Sequence, residues 1–243
     1  MATYSKQLGK YDPQIQRIAL TERIKTRYKN SLYLTCKDLL EYSDLTKYTH
    51  GEIIEALEAP TKRKLICVPR GTFKSSIGVV GYSIWSLMNN PNLRILIDSE
   101  IYENSKNFIR EIRGKLELPR VTQLFGSFRS NQWAEGSITI AQRRKILKES
   151  SVTASGVGAG KTGQHYDCII MDDLNSERNS QTPEQRQKVV NHYKLNTSIL
   201  EPHGVMVVIG TRYAADDCLG YILENEIKPQ GLIDPLLPPP HSG

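Results

Sequence analysis

Long apolar runs are missing from this chain of 243 residues. The longest, residues 205–209, falls far short of the ~20 needed to span a bilayer. Residues 1–14 are polar where a signal peptide would carry its apolar core. No membrane partner is expected, and the chain reads as soluble and intracellular. Cysteine is sparse: Cys36, Cys67, Cys168 and Cys218 contain no C-x-x-C pair. That argues against disulfides and a zinc site, and the two in apolar runs, Cys67 and Cys168, read as small core residues. No internal repeat is visible. The one low-complexity stretch is 235–243, where Pro238, Pro239 and Pro240 can continue neither a helix nor a central strand.

Positive charge, by contrast, is present and unevenly placed. The formal net charge is +6, and the segment 103–148 alone holds ten basic and four acidic residues, so the remainder balances. A polyanionic partner and an unpartnered solvated face both produce such a bias. At roughly 100–200 residues per domain, the length allows one large domain or two small ones with a real core.

The patterning is that of an α/β protein. The first sixty residues read as helical, with Ile15, Ile18, Ala19 and Ile24 forming a partial apolar stripe and residues 32–42 another. Residues 64–68 then form a short apolar run closed by Pro69-Arg70-Gly71, followed by Ile77, Val80, Gly81, Ile84, Trp85 and Met88 at helical spacing. Strand and helix alternate again at 93–97 and 105–116. Shorter strands are expected at 136–140 and 151–154, a buried strand at 166–171, and another at 204–209. Thr182, Pro183 and Gln185 form a helix start with a capping box. Buried strands alternating with amphipathic helices predict a mainly parallel central sheet flanked by helices, with a ligand crevice at the strands' carboxyl ends.

The first crevice carries Pro69-Arg70-Gly71-Thr72-Phe73-Lys74-Ser75-Ser76. The phosphates of a nucleotide need backbone N–H groups at a helix N-terminus, an ammonium, and a hydroxyl for Mg²⁺. Lys74 and Ser75 supply the last two. The usual G-x-x-x-x-G-K-[ST] spacing would put glycine where Val68 and Phe73 stand, so the pattern match is weak and the strand–loop–helix context carries it. A second glycine-rich stretch, Gly156-Val-Gly-Ala-Gly160-Lys161-Thr162, runs into a strand rather than a helix. It reads as a flexible loop at the sheet edge that reaches a nucleotide across a subunit boundary. Asp172 and Asp173 end the buried strand 166–171, and Asp172 is assigned to Mg²⁺ and Asp173 to water activation. A solvated acidic turn is the plain alternative. After the strand 204–209 comes Gly210-Thr211-Arg212, which either senses the γ-phosphate or leaves Arg212 paired with Asp216 or Asp217. Tyr48 and His50 stand before the first strand and read equally as adenine-stacking or packing residues.

Taken together, P-R-G-T-F-K-S-S, G-V-G-A-G-K-T-G with D-D-L, and G-T-R-Y-A-A-D-D resemble the ATPase domain of the large terminase subunit of tailed bacteriophages over about 65–226. The resemblance implies a P-loop NTPase of the ASCE (RecA-like) type, with a helical N-terminal segment over 1–60, the ATPase core over 61–230 and a Pro-rich linker or tail over 231–243. It implies Lys74, Ser75 and Asp172 on Mg-ATP, Arg70 on phosphate within its own subunit, and a ring of subunits on the portal protein with double-stranded DNA in the channel. A small terminase subunit as partner and a location in the host cytoplasm, transiently at the procapsid portal, follow from the same likeness. Many relatives have Glu at the water-activating position, so either Asp173 or Glu177 is the base. Relatives continue into a nuclease domain, so no nuclease activity is expected of this chain.

In such a ring a neighbour's cation completes the site, and Lys161, Arg143, Arg144 and Arg212 are the residues available. The local basic excess divides accordingly into Arg110, Arg113 and Lys115 facing DNA, and Arg143 and Arg144 facing a neighbour. Two other readings of the same core remain: a helicase or restriction-type DNA translocase, and a nucleotide-binding module without turnover.

Overall fold

The computed structural model describes residues 13–161 and 163–227. The expected Pro-rich tail over 231–243, the first residues of the N-terminal segment and Thr162 lie outside them.

Strand residues alternate between two apolar layers, and this alternation builds the molecule. Ile66, Ile95, Ile97, Cys168, Ile170, Val207 and Ile209 join one buried cluster, while Leu96, Ile169, Met171, Met206 and Val208 join a second. A strand buried on both faces needs no polar side, which is why these segments read as continuous apolar runs. Among the described residues the strands are β1 (Arg63–Cys67), β2 (Ile95–Ser99), β3 (Ser137–Ile138), β4 (Val152–Gly156), β5 (Tyr166–Asp172) and β6 (Leu200–Gly210). They form one sheet in the order β1-β6-β5-β2-β4-β3. All neighbours are parallel except β3 and β4. This is the α/β architecture, with a mainly parallel central sheet flanked by helices, that the sequence patterning predicts.

On the first face lie α1 (Pro13–Lys29), α2 (Leu32–Leu34), α3 (Lys47–Glu58), α4 (Tyr82–Asn89), α5 (Tyr102–Leu116) and α6 (Pro119–Phe125), and on the second α7 (Pro183–Ser198) and α8 (Cys218–Asn225). The N-terminal helices share the first core with the sheet: Leu32, Cys36, Leu39 and Leu57 pack with Ile77, Val80 and Ile84. Lys29 O accepts bonds from Trp85 Nε1 at 2.8 Å and Asn89 Nδ2 at 3.0 Å, which fixes the end of α1 on α4. The other end of α1 corrects the sequence reading. Residues 14–20 are exposed, including Ile15 and Ile18, so the expected stripe does not reach the core.

Two further differences concern the helices. Residues expected as α-helix at 77–88 begin as a π-helical turn, Ser76–Gly81, before α4, and Thr35–Leu39 is a second π turn where 32–42 suggested a plain helix. The capping box on α7 is present as expected. Cys168 is buried, but Cys67 is exposed, because it stands at the carboxyl end of the outermost strand, β1. Among the described residues no helix is long and apolar enough to cross a membrane.

Candidate active site

The sheet order brings three strand ends together. Cys67 of β1 pairs with Gly210 of β6, and Ile209 of β6 with Asp172 of β5. The loop 69–76 after β1, the Thr211 segment after β6 and the acidic pair of β5 therefore meet at one end of the sheet. Lys74 and Ser75 begin the helix that follows the loop. Gly71 has φ +81° and Phe73 φ +55°. The left-handed backbone that glycine usually provides is thus taken up by Phe73, at a cost of roughly 1–2 kcal/mol. Its ring is held edge-on by His50 at 5.6 Å and Tyr42 at 6.5 Å. That contact explains how a phenylalanine occupies a glycine's place, and it puts the buried His50 behind the loop as packing, while Tyr48 is fully exposed.

Lys74 is buried and donates to Asp173 Oδ1 and to Thr211 Oγ1, both at 2.9 Å. Thr211 Oγ1 in turn donates to Val68 O at 3.3 Å. One ammonium thereby ties together the ends of β1, β5 and β6. Ser75 Oγ donates to both oxygens of Asp172, at 2.9 and 3.0 Å. Burial, with the charge of Asp173 next to it, pushes the Asp172 carboxyl up to about 7. A hydroxyl and a buried carboxylate that lacks a cation of its own are the donor set a hard divalent ion takes, so these residues fit Mg²⁺. Asp173 itself has φ +43°, a strained setting that asparagine and aspartate tolerate better than most residues.

Arg70 is exposed and bonds through Nη2 to the hydroxyl of Tyr213, over whose ring its guanidinium lies at 6.0 Å. Tyr213 was not singled out in the sequence. Its N–H donates to Asp217 Oδ2 at 2.8 Å, and Asp217 also caps α8 through Gly220 N–H at 2.8 Å. An aspartate just ahead of an apolar helix was the available signal. Arg212 does not pair with either expected acid: Asp216 takes Arg186, Asp217 caps the helix, and Arg212 Nη2 donates to Ala215 O at 3.2 Å. Glu177 is exposed on the segment beyond β5, and the carboxylate bonded to Lys74 is that of Asp173.

Several expectations need correction. The loop 156–161 is not at the sheet edge, because β3 lies outside β4. Lys161, expected as a cation for a neighbour, is 2% exposed and donates to Asp98 Oδ2 at 2.7 Å and Asn196 Oδ1 at 2.9 Å. His192 Nε2 meets the same carboxylate oxygen at 2.6 Å. A buried ammonium bonded this way is held by its own subunit. Arg143 likewise turns inward, onto Glu149 O at 2.6 Å and Leu93 O at 3.3 Å. Of the three residues expected on DNA, Lys115 donates to Leu40 O at 2.6 Å and lies over the Tyr42 ring, and Arg113 has its Nε buried. Arg110 alone of the three is exposed.

No family model and no curated protein matches the chain. Among solved structures, a Saccharomyces cerevisiae Dbp5 variant bound to Nup159, Gle1, IP6 and ADP is similar at 11% identity and a TM-score of 0.46, over 79% of this chain and 49% of that one. The chain spans about half the length of that structure. A mutant of the Thermus phage P74-26 large terminase ATPase domain is similar at 14% identity and a TM-score of 0.43, over 73% of this chain and 68% of that one. The same domain without that mutation gives 0.39 over the same shares.

Proposed function

We propose that the chain is an ATP-hydrolysing motor domain of the terminase kind, which moves double-stranded DNA into a procapsid. The observation that carries this reading is the single ammonium of Lys74 joined to Asp173 and Thr211, beside Ser75 on Asp172. Asp173, Ser75 with Asp172, and Thr211 stand at three adjacent strand ends, which supports their reading as base, metal ligands and coupling segment for phosphoryl transfer to water. Residues 69–76 would cradle the phosphates, with Lys74 neutralising them and Arg70 adding a second cation once it leaves Tyr213. Ser75 and Asp172 would hold Mg²⁺, which when bound neutralises charge on the phosphates. Asp173 accepts the proton of the attacking water or orients it. Thr211, bonded to Lys74 and to the backbone of β1's loop, changes partner when phosphate claims the ammonium, and so passes the event to Arg212 and α8.

With Lys161 and Arg143 held inside their own subunit, Arg144 and Arg212 are left, and Arg212, next to Thr211, is the cation we assign to completing the site. Assembly into a ring, docking on a portal protein and a small-subunit partner belong to the same proposal. Replacing Lys74 by alanine should lower ATP hydrolysis by about 10²–10³-fold or more, measured as phosphate release with and without duplex DNA. Parental turnover in that variant would remove the assignment.

A further inference from the structure

The nucleotide crevice lies at the carboxyl ends of the parallel strands. The opposite end of the sheet, where β2, β4, β5 and β6 begin, carries a feature that the ATPase site does not use. Between Ile140 and Val152 the chain makes a turn whose flanks are both pinned. Arg143 points inward onto Glu149 O and Leu93 O, and Lys148 Nζ donates to Gly163 O at 2.9 Å. Asn92 Oδ1 accepts the backbone N–H groups of both Arg144 and Lys145 at 3.0 Å. The residues in between face outward: Arg144 and Lys145 are exposed, and Ile146 is 102% exposed.

Among the described residues no carboxylate forms an ion pair with these two charges. The acids at this end of the sheet, Glu149, Asp167 and Glu201, are all drawn to Arg94, at 3.6, 2.9 and 2.8 Å. A rigid turn that holds two like charges side by side, with an isoleucine at its tip in water, pays in self-repulsion and exposed apolar surface. We propose that Arg144, Lys145 and Ile146 form a contact for the backbone of duplex DNA, at the end of the sheet opposite the phosphate loop. The guanidinium and ammonium offer donors only, which suits phosphate oxygens, and the isoleucine methyls suit sugar edges between them. This deepens the motor reading, and rests on it for the choice of DNA. It moves the grip from α5, where Lys115 and Arg113 are engaged in packing, to the turn 143–148.

The test is fluorescence-anisotropy binding of the full chain to a labelled duplex between about 50 and 200 mM salt. Arg144→Ala with Lys145→Ala should lower the slope of log affinity against log salt by about 2, one for each lost phosphate contact. Ile146→Ser should weaken binding with the slope unchanged. All side chains changed are exposed, so each variant should melt at the parental temperature and bind nucleotide as the parent does. Parental binding with an unaltered slope in the double variant overturns the turn as the grip and leaves the motor reading standing. Absence of duplex binding by the parent at the lowest salt overturns both. Unchanged affinity in Ile146→Ser overturns the apolar part of the contact.

Discussion

Lys74, Asp173 and Asp98 show how single side chains set this protein's behaviour. The bond from Lys74 to Asp173 makes the proposed base a competitor of phosphate for the same ammonium. Asp173→Ala should therefore abolish turnover while nucleotide affinity holds or rises, measured by single-turnover hydrolysis beside equilibrium binding. Turnover that survives in Asp173→Ala and is lost in Glu177→Ala would transfer the base role. Asp98 governs stability instead. It is wholly buried and accepts Lys161, His192 and Asn196 on one oxygen. Burial pushes its carboxyl up, but the bond from His192 and the charge of Lys161 outweigh that and hold it below its ordinary 3.8. A group depressed in the folded state stabilises in full above 3.8, and loses that contribution as pH falls through its folded value. Asp98→Asn should cost about 3–5 kcal/mol at neutral pH, because Lys161 is left buried without its anion. The same change should also flatten the acid limb of stability in urea titrations between about pH 5 and 2.

Elements differ in how far the sequence discloses them, for reasons that trace to burial. Strands β2 and β5, and the second half of β6, are buried on both faces, so their apolar runs stand out, and α7 is marked by its capping box. The strand β3 is only two residues long, and it falls inside the short strand expected at 136–140. Loop 156–161 looked mobile because of its glycines. Its role depends instead on Asp98, Asn196 and His192, which are distant in sequence and individually unremarkable. The loop 69–76 draws notice in the sequence through Lys74 and Ser75, whereas the seat of Phe73 does not, since Tyr42 and His50 meet it only in the folded chain. Close packing on the helix after this loop makes a further prediction. A Cβ at Gly81 would lie 2.3 Å from Cys36 Sγ, and one at Gly78 2.3 Å from Ile209 Cδ1. Gly81→Ala should cost about 1–3 kcal/mol by overpacking, read from urea denaturation, and Cys36→Ala in the same chain should recover much of it.

Across the whole molecule, charged groups stand at both ends of one sheet. The Asp172–Asp173 pair and the loop 69–76 meet at the carboxyl ends, while the exposed cations of the 143–148 turn stand at the amino ends, about 20 Å away along strands of this length. The local excess of ten basic over four acidic residues thus has several uses. Arg143 and Lys115 stitch the fold, Arg129 pairs with Glu117, and only part remains for a polyanion. The π turn over Ser76–Gly81 joins the phosphate loop to the N-terminal helices through Gly81. A π turn holds one residue more than an α-helix needs to cover the same path. For a gene encoding this chain, that surplus is a place where a codon can be lost. Deleting Val79 gives the helix an α register to fall into, with Lys74 and α4 kept in place. Deleting Ile109 from α5 would rotate everything after it by about 100°. The first deletion should lower the melting temperature modestly, and the second should leave no cooperative transition at all.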